Sequence, residues 1–343
     1  MIARRVEEHK IKTPAELIAL LPPKDCSVVE GWNQQIRDIL DGKDKRKLIV
    51  TGPCSIHNTD EGLEYACELK KLSDDVNDKL LIVMRAYVEK PRTNIGWTGL
   101  AYDPELDGSY DLETGLKTSR QFMLDVVKVG LPIATEFLGP EVYKYLEDLV
   151  SFATIGARTT ESQPHRHFAS GLPMPVGFKN ATSGDISAAV NAAMAAKNIH
   201  IYVGSNLDGQ ICRMSTKGNP YTFVVLRGGN GLPNCRPELI EETYQLQRKA
   251  GIPENIIVDC SHGNSLKKYE KQEEVSYMVL DQMLNKSEGI KGIMLEANIN
   301  EGKQSFPKTA EARANLQRGV SITDGCINLG TQKRIVQTYY GRL

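Results

Sequence analysis

Short, unbroken apolar runs recur along the chain with longer amphipathic stretches between them. The clearest are Leu48–Thr51, Leu80–Met84, Pro132–Thr135, Ala153–Gly156, Pro175–Phe178, Thr222–Leu226, Asn255–Val258 and Gly292–Leu295. They are continuous rather than alternating, as in strands of a parallel sheet that is covered on both faces. The intervening stretches carry helical spacing. Ile186, Ala189, Val190, Ala193 and Met194 make one apolar stripe, with Thr182 and Asp185 in capping-box positions, and Val275, Met278, Val279 and Met283 make another. Eight strands alternating with helices over some 250 residues predict a (β/α)8 barrel of the TIM type. A doubly wound open sheet is the rival, but no G-x-G-x-x-G follows the first strand.

Two segments fall outside that count. Ile199–Val203 reads as a ninth strand too close to Thr222 for a full βα unit, so residues 199–221 are expected to form a hairpin-like insertion. Residues 1–45 are polar with one Pro-Pro break and read as an N-terminal arm or a cap on the barrel's bottom. The catalytic barrel is then 46–343.

Composition narrows the function. The 343 residues are 41% apolar and 25% charged, with 42 basic and 43 acidic side chains and a formal net charge of −1. Such a balance gives no whole-molecule field for nucleic acid or an anionic membrane. No run reaches the ~18 apolar residues of a membrane span, and the charged start, Met1 to His9, lacks the apolar core of a signal peptide. Seven widely spaced cysteines without a C-x-x-C suit a reducing, cytoplasmic setting.

The chemistry gathers at the C-terminal ends of the apolar runs, which in a barrel share one rim. Arg85, Lys90, Arg92, Arg158, Lys179 and Arg227 all fall there. Each taken singly could pair with a structural acid. Six at equivalent strand ends point instead to polyanionic ligands. Cys54, His262, Glu296 and Asp324 fall at the same rim and offer one sulfur, one nitrogen and two carboxylates, a set suited to a divalent transition metal. Each also has a plain structural reading: Cys54 as a buried small hydrophobe, His262 as a general base or core histidine, Asp324 as an N-cap for the last helix. His165 and His167 read as a solvated helix surface, and Lys267–Lys271 as a solvated helix face.

The motifs Gly52-Pro-Cys54-Ser-Ile-His57, Lys90-Pro-Arg92-Thr93, Gly156-Ala-Arg158-Thr-Thr-Glu-Ser162, Gly177-Phe-Lys179-Asn180, Leu226-Arg227-Gly-Gly229, Asp259-Cys-Ser-His262-Gly-Asn264 and Ser321-Ile-Thr-Asp324 together resemble the class I 3-deoxy-D-arabino-heptulosonate 7-phosphate (DAHP) synthases. The resemblance spans about residues 45–330. It implies a metal-dependent condensation of phosphoenolpyruvate with erythrose 4-phosphate that releases phosphate at the entry to the shikimate pathway. It implies metal ligation by Cys54, His262, Glu296 and Asp324, with Mn²⁺ first and Fe²⁺, Co²⁺ or Zn²⁺ as alternatives. Arg85, Arg158, Lys179 and Arg227 would hold phosphoenolpyruvate, and Lys90, Arg92 and Thr93 the phosphate of the aldose. Lys179, its pKa depressed by neighbouring cations, or His262 through a water would move the proton. A homodimer or homotetramer also follows from the resemblance.

Three departures cluster near the expected site. The usual Gly-Trp-Lys-Gly reads Gly96-Trp-Thr98-Gly99, which removes a cation. The insertion reads Gly204-Ser-Asn-Leu-Asp-Gly209 where a basic segment is usual, and Gly325-Cys-Ile-Asn-Leu-Gly330 replaces a segment that favours Trp-Glu. They leave room for a paralogue that uses another phosphorylated aldose, or for a silent one.

Overall fold

In the computed structural model, which describes residues 9–285 and 287–343, the chain builds a closed barrel. Its strands are β1 (Lys47–Gly52), β2 (Leu80–Arg85), β3 (Ile133–Glu136), β4 (Phe152–Ile155), β5 (Val176–Lys179), β8 (Thr222–Leu226), β9 (Ile256–Asp259) and β10 (Ile290–Asn298). All neighbours are parallel, and β1 pairs with β10 to close the ring, Leu48 opposite Gly292 and Gly52 opposite Glu296. The remaining strands are a separate antiparallel hairpin, β6 (Ile201–Ser205) with β7 (Ile211–Ser215), and a short β11 (Ile327–Asn328) added to β10. The helices are α1 (Pro14–Leu20), α2 (Cys26–Leu40), α3 (Thr59–Val76), α4 (Leu112–Val129), α5 (Gln163–Ala169), α6 (Ser187–Ala196), α7 (Pro237–Ala250), α8 (Gln272–Leu284), α9 (Ala310–Ala314) and α10 (Leu329–Arg342).

The barrel and hairpin expected from the apolar runs are both present. Side chains alternate across each strand, and the two faces sort into two cores. The outward face packs on the surrounding helices through residues such as Ile49, Ile82, Val224 and Ile293. The inward face is a smaller cluster that includes Leu48, Val50, Leu81, Val83, Phe152, Phe223, Val225, Ile257 and Met294. Gly177 leaves room inside, since a Cβ there would stand 2.7 Å from Phe223 and Val225. Ile36, Ile39 and Leu40 of α2 join this inner cluster. Residues 1–8 of the expected arm lie outside the described residues.

The same inward parity that fills the barrel's lower half places polar residues in its upper half. Continuing the inward positions 83, 134, 177, 225, 257 and 294 by two reaches Arg85, Glu136, Lys179, Arg227, Asp259 and Glu296. The site is therefore a consequence of the strand period.

Local expectations fare unevenly. Thr182 and Asp185 form no capping box: α6 starts at Ser187, whose N–H donates to Asp185 Oδ1, while the Thr182 carbonyl accepts from Asn230 N. The turn after β8 has claimed Thr182. Met194 is 39% exposed because Ala192 and Ala196 take the buried face of α6. Asn328, not Asp324, caps the last helix.

Candidate active site

A cavity of ≈ 270 Å³ opens at the C-terminal rim. Arg85, Lys90, Arg92, Arg158, Lys179 and Arg227 all line it, with Thr93, Glu136, His262, Glu296 and Asp324. Cys54 lies just beneath, fully buried. Glycines allow this convergence. Gly228 (φ +68°) and Gly263 touch backbone to backbone, and a Cβ on Gly228 would stand 2.6 Å from Gly263 C. That contact brings the loop carrying Arg227 against the loop carrying His262. At Gly156 a Cβ would sit on the Glu136 carboxylate.

The floor is a set of buried ion pairs. Arg85 Nη2 is 3.1 Å from Glu296 Oε1, and its guanidinium lies 4.0 Å over the Tyr87 ring. Lys179 Nζ is 3.3 Å from Asp259 Oδ2. His262 Nδ1 is 2.9 Å from the same oxygen but out of line for a hydrogen bond. Burial raises the cost of the Asp259 charge, yet His262 and Lys179 hold its pKa far below the usual carboxylate range. Glu296 is likewise lowered: burial opposes its charge, and His262 and Arg85 outweigh that. Its other oxygen accepts from Ser261 Oγ at 2.8 Å, and Gln272 bonds both its N–H and its carbonyl. For Lys179, burial works against the ammonium, but Tyr87 and Asp259 pull harder, and the net shift is upward. The depressed pKa expected from neighbouring cations is thus overturned, because a buried carboxylate lies closer than the sequence showed.

Lys90 also differs from expectation. Its ammonium is 2.8 Å from Cys54 Sγ and 3.0 Å from Asp324 Oδ2, rather than free in the cavity. Lys90 in turn holds Asp324 below the carboxylate range, and burial with nearby Glu296 pushes the Cys54 thiol up to about 12. Cys54 Sγ and Asp324 Oδ2 are 3.6 Å apart, and His262 Nε2 and Glu296 Oε1 3.7 Å. Ligands on one tetrahedral ion with bonds of about 2.0–2.3 Å stand roughly 3.3–3.7 Å apart. Each pair by itself therefore has the spacing of two ligands on one ion, and the donor types suit a divalent transition metal. Among the described residues, no three His, Cys, Asp or Glu side chains form one ligating group, the Lys90 ammonium being lodged against two of the expected ligands.

The outer wall is different. Arg158 Nε donates to Thr93 Oγ1 at 3.0 Å, and Arg227 Nη1 to the Gly228 carbonyl at 3.3 Å. Among the described residues neither makes an ion pair, nor does Arg92. On the floor, Arg85 Nε and Glu136 Oε1 are buried without a hydrogen-bond partner. Buried polar atoms are normally paired, so the Arg85 donor marks a place for a polar ligand, whereas Glu136 Oε1 is packed against Gly156.

Several residues carry roles that the sequence reading did not assign. Asp259 and Tyr87 organise the floor, and a charged residue ending an apolar run was the available signal for Asp259. Glu89 ties the Lys90 loop to the next one, its carboxylate accepting from Leu138 N, Gly139 N and Tyr102 Oη, and burial raises it to about 7. Thr98 stands behind Lys90, whose N–H donates to its carbonyl at 2.9 Å, and does not line the cavity. His165 is buried, bonded to Ser162 Oγ and the Leu138 carbonyl, not solvated. Lys267–Lys271 form an irregular loop with one 3-10 turn, not a helix face.

Residues 20–337 match the DAHP synthetase I family. The chain is 46% identical over 328 residues to the Tyr-sensitive phospho-2-dehydro-3-deoxyheptonate aldolase of Salmonella typhimurium, covering 95% of this chain and 91% of that one. It is 41% identical over 336 residues to the Trp-sensitive enzyme of Escherichia coli K12, covering 97% and 95%. The solved phospho-2-dehydro-3-deoxyheptonate aldolase of Francisella tularensis superposes with a TM-score of 0.94 at 37% identity, over 98% of this chain and 97% of that one.

Proposed function

Because the chain belongs to the DAHP synthetase I family, whose reaction joins phosphoenolpyruvate to erythrose 4-phosphate, we propose that the rim cavity is where it does so and that its residues divide the work as follows. Arg85, Lys179, Arg158 and Arg227 bind the phosphate and carboxylate of phosphoenolpyruvate. Arg92 and Thr93, with Lys90 at the boundary, hold the phosphate of the aldose. The observation that carries this reading is the convergence of six cations on one cavity, with Arg92, Arg158 and Arg227 unpaired by any acid of the described chain. Phosphoenolpyruvate and the aldose phosphate are both multiply charged anions. Fixed guanidinium groups offset their repulsion and align the reacting carbons.

A divalent metal goes with the family, and Cys54, His262, Glu296 and Asp324 would hold it, with Mn²⁺ as the first choice. When bound, it supplies Lewis acidity at the aldehyde. The chain's own groups do the remainder. The Arg cluster orients C3 of phosphoenolpyruvate towards the aldehyde carbon. Lys179, kept protonated by Asp259, donates to developing negative charge. Water supplies the new oxygen at C2, and phosphate leaves with the oxygen it already carried. Cys54 acts as an anchor in this scheme, and His262, acting through a water, is the alternative proton-handling group.

Two features support finer readings. The hairpin exposes Ile201, Val203 and Ile211, each more than half accessible. An apolar sheet face of this kind favours a homodimer across the hairpins, with a homotetramer built from two such pairs. All seven cysteines are free, which supports work in a reducing compartment such as the cytoplasm; among the described residues no helix is long and apolar enough to cross a membrane.

The test is phosphate release from phosphoenolpyruvate with Mn²⁺, with EDTA as control and erythrose 4-phosphate compared with arabinose 5-phosphate. Release with erythrose 4-phosphate that EDTA abolishes, and that Cys54→Ala abolishes without unfolding, is expected. Full turnover by metal-free Cys54→Ala would overturn the ligand assignment.

A further inference from the structure

A second cavity of ≈ 350 Å³ adjoins the first and shares Arg158, Arg227, His262, Glu296 and Asp324 with it. Its own lining adds Lys267, Lys268 and Lys303, against a single further acid, Glu270. Among the described residues, none of the three lysines of this lobe makes an ion pair. Neither do the two arginines it shares.

The backbone that carries these cations is strained. His262, Leu266 and Lys267 all have left-handed φ values of 53°, 55° and 60°, which histidine visits more readily than most residues but which are uncommon for leucine and lysine. The Lys267 N–H closes the loop onto the His262 carbonyl at 2.7 Å. Such conformations cluster where function fixes the chain. A relaxed helix there would satisfy the backbone with less strain.

We propose that this side lobe is an anion site for inorganic phosphate, the leaving group of the reaction, and that Lys267 and Lys303 hold phosphate on its way out. The lobe opens from the Arg158 and Arg227 side of the cavity and does not include Lys90, Arg92 or Thr93. Phosphate cleaved from C2 can therefore move along a path of positive charge without crossing the aldose subsite. The inference rests on the phosphoenolpyruvate assignment above, so its test has an arm that requires no turnover.

In that arm, inorganic phosphate is titrated into EDTA-treated Arg92→Gln enzyme saturated with phosphoenolpyruvate, and binding is read by ³¹P NMR. The main cavity is then filled and the aldose subsite disabled. One remaining phosphate equivalent is expected, weakened at least roughly tenfold by Lys267→Gln with Lys303→Gln, which amounts to losing charge-assisted hydrogen bonds. In turnover, the same pair of substitutions in otherwise unaltered enzyme should relieve product inhibition by phosphate several-fold and leave KM for phosphoenolpyruvate within about twofold. Lys267→Arg should restore the inhibition. Absence of the extra phosphate, or indifference of its binding to both lysines, overturns the proposal. So does a rise in KM for phosphoenolpyruvate that matches the loss of phosphate binding, since the lobe would then belong to the substrate cradle. Inactivity with erythrose 4-phosphate would count against the function, while the binding arm would still decide the site.

Discussion

The floor and the outer wall of the cavity use the same residue types in opposite ways. On the floor, the inward-facing strand positions Arg85, Lys179, Asp259 and Glu296 are buried and paired with one another. On the wall, Arg92, Arg158 and Arg227 lie in loops or at strand ends, reach water and have no acid. The reason is the cost of burial. A charge removed from water needs a partner inside the protein, and losing that partner leaves it stranded. A charge at the rim keeps its water until a ligand replaces it. The floor is thus preorganised and close to neutral before substrate arrives, and the wall supplies the unbalanced positive charge that draws the substrate in.

The sharpest way to break this contrast is at Asp259. It holds Lys179 and faces His262, so Asp259→Ala strands a buried ammonium. A loss of about 3–5 kcal/mol in stability is expected, read from urea unfolding, together with loss of turnover. A smaller effect is expected at Glu89, beneath the Lys90 loop. Its pKa is raised from 4.5 to about 7 by burial. A raised carboxyl stabilises the fold below the unfolded pKa, and that contribution is lost as pH climbs through the folded value. Stability should therefore fall by at most about 3 kcal/mol between roughly pH 4.5 and pH 7. Glu89→Gln should flatten that slope, and an unchanged slope in the variant would remove Glu89 from the explanation.

The wall should respond differently. Arg227→Gln is expected to cost about 1.5–3 kcal/mol of phosphoenolpyruvate binding, roughly 10–150-fold in KM, with the unfolding midpoint unmoved. A fall in stability of the floor's magnitude would mean that wall and floor are one unit. The smallest change is expected at Thr98. Because it stands outside the cavity, Thr98→Lys should alter kcat/KM by less than about threefold (below ~0.7 kcal/mol). A larger gain would show that the missing cation matters after all.

Much of this was legible in the sequence, for a physical reason. Apolar runs that end abruptly in Arg85, Lys179 or Glu296 encode both the strand and the rim, because one period-two pattern governs both. What the sequence did not show were the partners. Lys90 against Cys54 and Asp324, or Lys179 against Asp259, join residues 36 to 234 positions apart, and only barrel closure brings them together. The error over the Lys179 pKa had that origin: the cations and Asp259 all stood in the motifs, but the sequence did not show that Asp259 would face Lys179. The loop at 262–268 was hidden differently, since a run of lysines looks like a helix face until left-handed residues at 262, 266 and 267 turn it.

The division between a neutral floor and a cationic wall is tested most directly by calorimetric titration of phosphoenolpyruvate into metal-free enzyme at about 0.05 M and about 0.5 M salt. Exposed, unpaired charges are screened by salt, and buried pairs much less so. Affinity should fall roughly tenfold or more in the unaltered enzyme. It should be weaker but nearly salt-independent in Arg158→Gln with Arg227→Gln, whose melting temperature should be unchanged. Binding that ignores salt in the unaltered enzyme, or survives loss of both arginines, would place the attraction on the floor and refute the division.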